Sequence, residues 1–333
     1  MKGLMKYCAV LSLALVFGIV GGPLAASAAK INLVMGGIQP ADDISSLAMH
    51  EYVRLVSERS NGDISIKFYP ASQLGDATTQ VEAVSMGSQD MMFESGSWVA
   101  TFVPDKNVET MFFLFRDENH YMKYLESDII KDFENRFLKQ QGIRILANNF
   151  ARLPRSTVST KPIRAMADFA GVKERVPDIR GYLESVAAMG ASPVQVAWGE
   201  TYLALQQGVV GACESPLDMI YTSKFFEPAK YISMTEHQRD NMVIMINEGK
   251  FKSLTKEQQE ILTTAGKEAG NWYRAQIAEK VKGYVELMKK QGAEFITIDV
   301  APLRAAVRER ALEMEKKGIW PEGLFDKIAN YGL

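Results

Sequence analysis

Apolar and polar positions alternate along this chain with two different periods, and the switches between them mark out its elements. After residue 30 the run "INLVMG" (31–36) reads as a buried strand. From Asp42 to Ser60 the apolar positions Ile44, Leu47, Tyr52, Leu55 and Val56 fall three and four apart, the spacing of one helix face, with Asp42 or Asp43 placed to cap the first turn. "NGD" (61–63) turns the chain into "ISIKFYP", where Ile64, Ile66 and Phe68 alternate as in a half-buried strand. A helix near Thr78 to Met86, the strand "DMMF" (90–93), a helix from about Glu118 to Gln140 and the strand "IRILANN" (143–149) continue the alternation. Such alternation predicts a mostly parallel sheet covered on both faces.

A second α/β unit begins at "KERVP" (173–177). Helices follow over 179–189, 199–207 and 217–225, then the strands "YISMT" (231–235) and "NMVIMIN" (241–247). Thr255 with Gln258 three residues on makes a capping box, and it opens an unbroken helical pattern to Lys290. At 1.5 Å per residue such a helix is roughly 54 Å long, enough to brace two lobes. A pair of helices broken near Gly266 or Gly270 fits the same pattern. "AEFITID" (293–299) and an amphipathic helix over 302–317 end the chain. Two α/β units with the chain crossing between them favour a cleft walled by both.

The first 29 residues change the compartment. Lys2 and Lys6 precede an apolar run from Ala9 to Val20 and then the small residues Ala26, Ser27 and Ala28, the three parts of a secretory signal peptide cut before Ala29 or Lys30. The run is shorter than the roughly 20 residues a membrane span needs, so no membrane insertion is expected after cleavage. Removing the two lysines takes the basic residues from 38 to 36 against 40 acidic ones, a net charge of about −4. Nothing in that balance suggests nucleic acid. Cys8 leaves with the leader, and Cys213, left alone, can form no internal disulfide.

Chemistry is sparse. The three histidines, His50, His120 and His237, have no second His, Cys or carboxylate at a metal-ligand spacing, so no metal site is read here. No nucleophile elbow, phosphate loop or dinucleotide fingerprint occurs. A catalytic triad built from distant residues stays possible in principle but has no positive sign.

The ordered blocks "FYPASQLGD" (68–76), "FVPDKNVETMFFLFRDENH" (102–120), "RSTVSTKPIRAMADFAGVKERVPDI" (155–179), "MGASPVQVAWGETYLALQQGVVGACESPLDMIYTSKFFEPAKYISMTEH" (189–237) and "FKSLTKEQQEIL" (251–262) carry more information. Together they resemble the solute-binding proteins of tripartite ATP-independent periplasmic (TRAP) transporters, over nearly the whole mature chain. The resemblance implies an α/β, two-lobed periplasmic solute-binding protein fold, type II-like, with the ligand cleft between the lobes and a long lobe-spanning helix. It implies residues 30–152 plus 241–280 in one lobe and 153–240 plus 281–333 in the other. It further implies capture of an organic acid in the periplasm and delivery to ion-driven membrane subunits encoded elsewhere, with no cofactor and no catalysis. A ligand-sensing binding protein and an enzyme acting on an organic acid are the alternatives.

In such proteins the arginine of the K-x-R-V-P block pairs with the ligand carboxylate, and Arg175 occupies that place. A guanidinium offers a rigid fork that matches a carboxylate in two parallel charge-assisted bonds. Arg155 stands where many members carry a second arginine, and Trp198 where an aromatic covers the ligand. Ser215 replaces a frequent asparagine, and Ala77 an acid of the sialic-acid-binding members. Glu94 falls one residue from an acidic contact of those members. Gln39, Trp98, Met219 and Tyr221 complete the expected wall. Direct carboxylate binding and binding through a metal ion, as in some members, both stay open.

Overall fold

The computed structural model describes residues 30–333; the leader expected over 1–29 lies outside them. Eleven strands among the described residues form two mixed sheets. The first holds β1 (Ile31–Gly37), β2 (Ile64–Tyr69), β3 (Met91–Ser95), β4 (Ile143–Ala151) and the later strand 241–247. The second holds β5 (Arg155–Ser159), β6 (Lys173–Val176), β7 (Ser192–Gln195), β8 (Ala212–Pro216), β9 (Tyr231–Gln238) and a last strand, Glu294–Ile296. With Asn241–Asn247 as β10 and Glu294–Ile296 as β11, the orders are β2-β1-β3-β10-β4 and β11-β9-β5-β8-β6-β7.

The mostly parallel expectation needs correcting. β10 lies antiparallel to both β3 and β4, and β5 lies antiparallel to β8 and β9. The pattern also placed "NMVIMIN" in the second unit. Instead β9 and β10, only two residues apart, belong to different sheets, because the apolar run 242–246 of β10 buries both faces at an interior position of the first sheet. The chain therefore crosses between the sheets at 152–154 and returns at 239–240. These two crossings are tied together, since Arg152 N donates to Asp240 O at 3.0 Å.

Local signals explain most elements. Asp43 caps helix 44–59 by accepting from Ser45 N at 2.9 Å. The pattern over 118–140 is two helices, Glu118–Leu125 and Asp128–Gln141, because Ser127 accepts from Ile130 N and starts a new helix. The long helix runs unbroken from Lys256 to Lys290 behind its Thr255–Gln258 capping box. Its glycines are contact points and leave the helix continuous: a Cβ at Gly266 would stand 3.1 Å from Ala147 Cβ, and one at Gly270 would collide with the Asn149 side chain. Leu262, Ala265, Ala269 and Tyr273 pack under the first sheet, whereas Met288 joins Ile220, Phe225 and Ile232 under the second. One helix thus touches the cores of both sheets. A third apolar cluster runs from Met92 and Met245 through Phe112 and Tyr182 to Val176, and so links the two sheets directly. The C-terminal helix Leu324–Ala329 reaches back toward residues 116–120, with Ile328 O 2.8 Å from His120 Nε2.

Candidate functional site

Two sheets whose strand ends face each other leave a cavity of about 280 Å³. Ile38 and Gln39 after β1, Glu94 and Ser95 at the end of β3, Trp98 and Arg152 supply one side. Arg155 of β5, Arg175 of β6, the turn 195–199 after β7, Met219 and Tyr182 supply the other, and Asp240 sits on the crossing between them.

Arg175 is the penultimate residue of β6 and is only 4% exposed. Its Nε donates to Val196 O at 2.8 Å, and its guanidinium lies 5.5 Å from the centre of the Trp198 ring. No carboxylate lies within ion-pairing distance of it among the described residues. Burial accordingly pulls its pKa below the ordinary arginine value. Such a buried guanidinium is costly unless something anionic comes to it.

Arg155 lies in the same wall but is already matched. Its Nε and Nη2 both bond the Glu214 carboxylate, the latter at 2.8 Å, and its Nη1 is 3.4 Å from Asp240 Oδ2. Burial works to raise the Glu214 carboxyl, but the Arg155 charge overcomes it and holds the group down at about 2. Arg152 Nη1 is 3.0 Å from the same Asp240 oxygen, which also accepts from Ser95 Oγ at 3.2 Å.

Beside the arginines the lining holds acidic and neutral polar groups. Buried Glu94 accepts from Ser95 N at 2.9 Å and from Gln39 Nε2 at 3.1 Å, while burial pushes its carboxyl upward. Asp76, which caps helix 77–86, lines the entrance with Ala77 and Thr78, and Asp178 follows β6. Gln39 Oε1 and Asp240 Oδ1 are buried without a hydrogen-bond partner. Trp98, Trp198, Met219 and Ile179 provide apolar surface.

The structure thus brings Arg175, Arg155, Trp198, Glu94, Gln39, Trp98 and Met219 around one cavity. Ser215 and Tyr221 are not among its lining residues. Ser215 is wholly buried in β8 beside Ser156, and Tyr221 stacks on Tyr284 of the long helix at 4.6 Å. Sequence reasoning missed Asp240, Glu214 and Tyr182. Glu214 sits in the small-residue stretch "ACESP", which shows no strand periodicity, and Asp240 shows only as a polar step between two apolar strands. No group of three His, Cys, Asp or Glu able to hold a metal occurs among the described residues, and no described helix is long and apolar enough to cross a membrane.

Comparisons with known proteins agree with this geometry. The profile of the family described as bacterial extracellular solute-binding protein, family 7, matches residues 35–317. The 2,3-diketo-L-gulonate-binding periplasmic protein of Escherichia coli is 30% identical over 282 residues, 84% of this chain and 85% of that protein. Among solved structures, a TRAP periplasmic solute-binding protein from Ochrobacterium anthropi with bound L-fuconate superposes with a TM-score of 0.84. It is 30% identical and covers 90% of this chain and 99% of its own. One from Pseudomonas putida F1 with bound D-glucuronate gives 0.83 at 27% identity, covering 91% and 98%.

Proposed function

The chain belongs to family 7 of the bacterial extracellular solute-binding proteins, which bind solutes and are not enzymes, and from that premise we propose that it captures an organic acid in the cavity through Arg175. The observation that carries this reading is a buried guanidinium with no acid of its own facing a cavity walled by two sheets. A ligand carboxylate supplies the missing charge through the free terminal amino groups of Arg175. Trp198 holds the flat face of the guanidinium and covers the carbon skeleton. Arg155, fixed by Glu214, and Arg152, fixed by Asp240, shape the floor.

Residues 30–152 with 241–280 move as one lobe and 153–240 with 281–333 as the other, about the paired crossings at 152–154 and 239–240. Closing is a shift of population toward the form in which both walls touch the ligand. The closed protein then hands its solute to TRAP membrane subunits in the periplasm, after the leader is removed. The acids bound by the relatives above support the ligand class.

A thermal-shift screen against organic acids, sugar acids and zwitterionic osmolytes tests the reading. A carboxylate at a hundredfold excess over its dissociation constant stabilises the protein by about 2.7 kcal/mol. If only uncharged solutes raise the melting temperature, the Arg175 assignment is wrong. N-terminal sequencing of exported protein checks the leader, with Ala29 or Lys30 expected first.

A further inference from the structure

Resting on the carboxylate reading, the number of charges the ligand carries can be deduced from the wall itself. Three arginines line the cavity, which at first sight suits a dianion. Two of them are already matched. Glu214 takes two of the Arg155 nitrogens, and Asp240 stands 3.0 Å from Arg152 and 3.4 Å from Arg155. Only Arg175 among the three has no carboxylate partner within the described residues, and one of its nitrogens is committed to Val196 O.

Much of the remaining polar lining accepts hydrogen bonds, while Ser72, Thr78, Tyr182 and Gln195 add neutral donors. Glu94, Asp240, Asp178 and Asp76 are carboxylates, and the buried Gln39 Oε1 and Asp240 Oδ1 are acceptors that lack donors. Acceptors left without donors stay costly until a ligand supplies them. At the end lined by Gln39 and Glu94 a second ligand carboxylate would be an acceptor set against acceptors that already lack donors, with no unmatched arginine to offset its charge. A hydroxyl is a donor and carries no charge.

We propose that the cavity admits a single negative charge, set against Arg175, and that hydroxyl donors of the ligand occupy the end lined by Gln39, Glu94 and Asp240. Glu214 and Asp240 set this limit by using up the charge of the two other arginines. The protein thus selects hydroxylated monocarboxylates and rejects the dicarboxylates of the same carbon skeleton.

Titration calorimetry near pH 7.5 with matched pairs reads this out: butanoate and succinate, erythronate and tartrate, xylonate and xylarate, gluconate and glucarate, galactonate and galactarate. The expected result is at least one hydroxylated monoacid bound tenfold or more tightly than its diacid partner, with butanoate weaker than erythronate. A diacid bound as well as or better than its monoacid overturns the single-charge limit while leaving the carboxylate reading intact. No binding by either member of any pair overturns the selection of hydroxylated monocarboxylates, and the carboxylate reading falls as well only if no acid of the thermal-shift screen binds. Glu214→Gln leaves Arg155 with only the longer contact to Asp240 and should narrow the monoacid-to-diacid ratio by tenfold or more. Should that variant fail to fold, Asp240→Asn frees Arg152 and reads the same ratio. A folded variant with an unchanged ratio removes these acids from the explanation.

Discussion

Replacing Arg175 by alanine separates a binding residue from a structural one, because the two roles move different observables. In the unliganded protein Arg175 makes one bond to Val196 O and one stacking contact with Trp198, and it bears the cost of a buried charge without an acid partner. The bond and the stack contribute about 1 kcal/mol each, and loss of the buried charge offsets them, so the unliganded stability should change by no more than about 1 to 2 kcal/mol. Binding should suffer far more. Two charge-assisted hydrogen bonds to a carboxylate are worth about 1.5 to 3 kcal/mol each, which corresponds to a loss of about two to four decades in Kd. Arg175→Lys keeps the charge but loses the fork, and should recover less than half of that free energy. The assay is calorimetry with whichever acid gives the strongest thermal shift, paired with urea denaturation of the unliganded variants. Two outcomes refute the reasoning: alanine that binds within threefold of the native protein, or unliganded stability that collapses in step with affinity, which would make Arg175 a scaffold residue.

Other predictions draw on separate features. Trp198→Ala should weaken binding by about 1 to 3 kcal/mol through lost cover on Arg175 and the ligand, and unchanged calorimetric affinity would remove Trp198 from the site. Asp218 is buried near Asp43 and Arg152, with both carboxylate oxygens lacking partners, and burial followed by the Asp43 charge pushes its pKa up to about 7. Folded protein then holds its proton between about pH 4 and 7 where unfolded chain does not, so Asp218 subtracts stability as pH rises through that window, by up to about 4 kcal/mol. Asp218→Asn should flatten the decline and be the more stable protein at pH 8; parallel pH profiles for the two proteins would contradict this. On the long helix, Gly283 faces open space, so Gly283→Ala should stabilise by up to about 1 kcal/mol. Gly266→Val, pressed against Ala147 and Ile244, should destabilise by about 1 to 3 kcal/mol in urea.

The elements that could be read from the sequence were those that bury one apolar face. β1, β2, helix 44–59 and the long helix with its capping box follow the expected bounds within a residue or two. β5 and β8 were not legible because their sequences, "RSTVS" and "ACESP", are polar or small, yet every residue of both is buried. Some of their polar side chains are satisfied by partners distant in sequence, such as Arg155 by Glu214, and no local periodicity reports that. The site divides the same way. The block around Arg175 fixes its place on a strand end, but whether a neighbouring arginine is free or already matched depends on Glu214 and Asp240, 59 and 85 residues further on. Tyr221 carries the aromatic character expected of a wall, and only the position of Tyr284 reveals that it belongs to the helix packing instead.

The place of β10 also fixes an order of assembly. It lies between β3 and β4 and pairs with both, so nothing joins those two earlier strands until residue 247 is present. A chain that emerges from its N-terminus cannot complete the first sheet and then start the second. It must carry β1 to β4 as an open, half-paired surface while the whole of β5 to β9 follows. Completion of the first sheet therefore waits on β10, and a truncation at 240 leaves β4 with no strand partner at all.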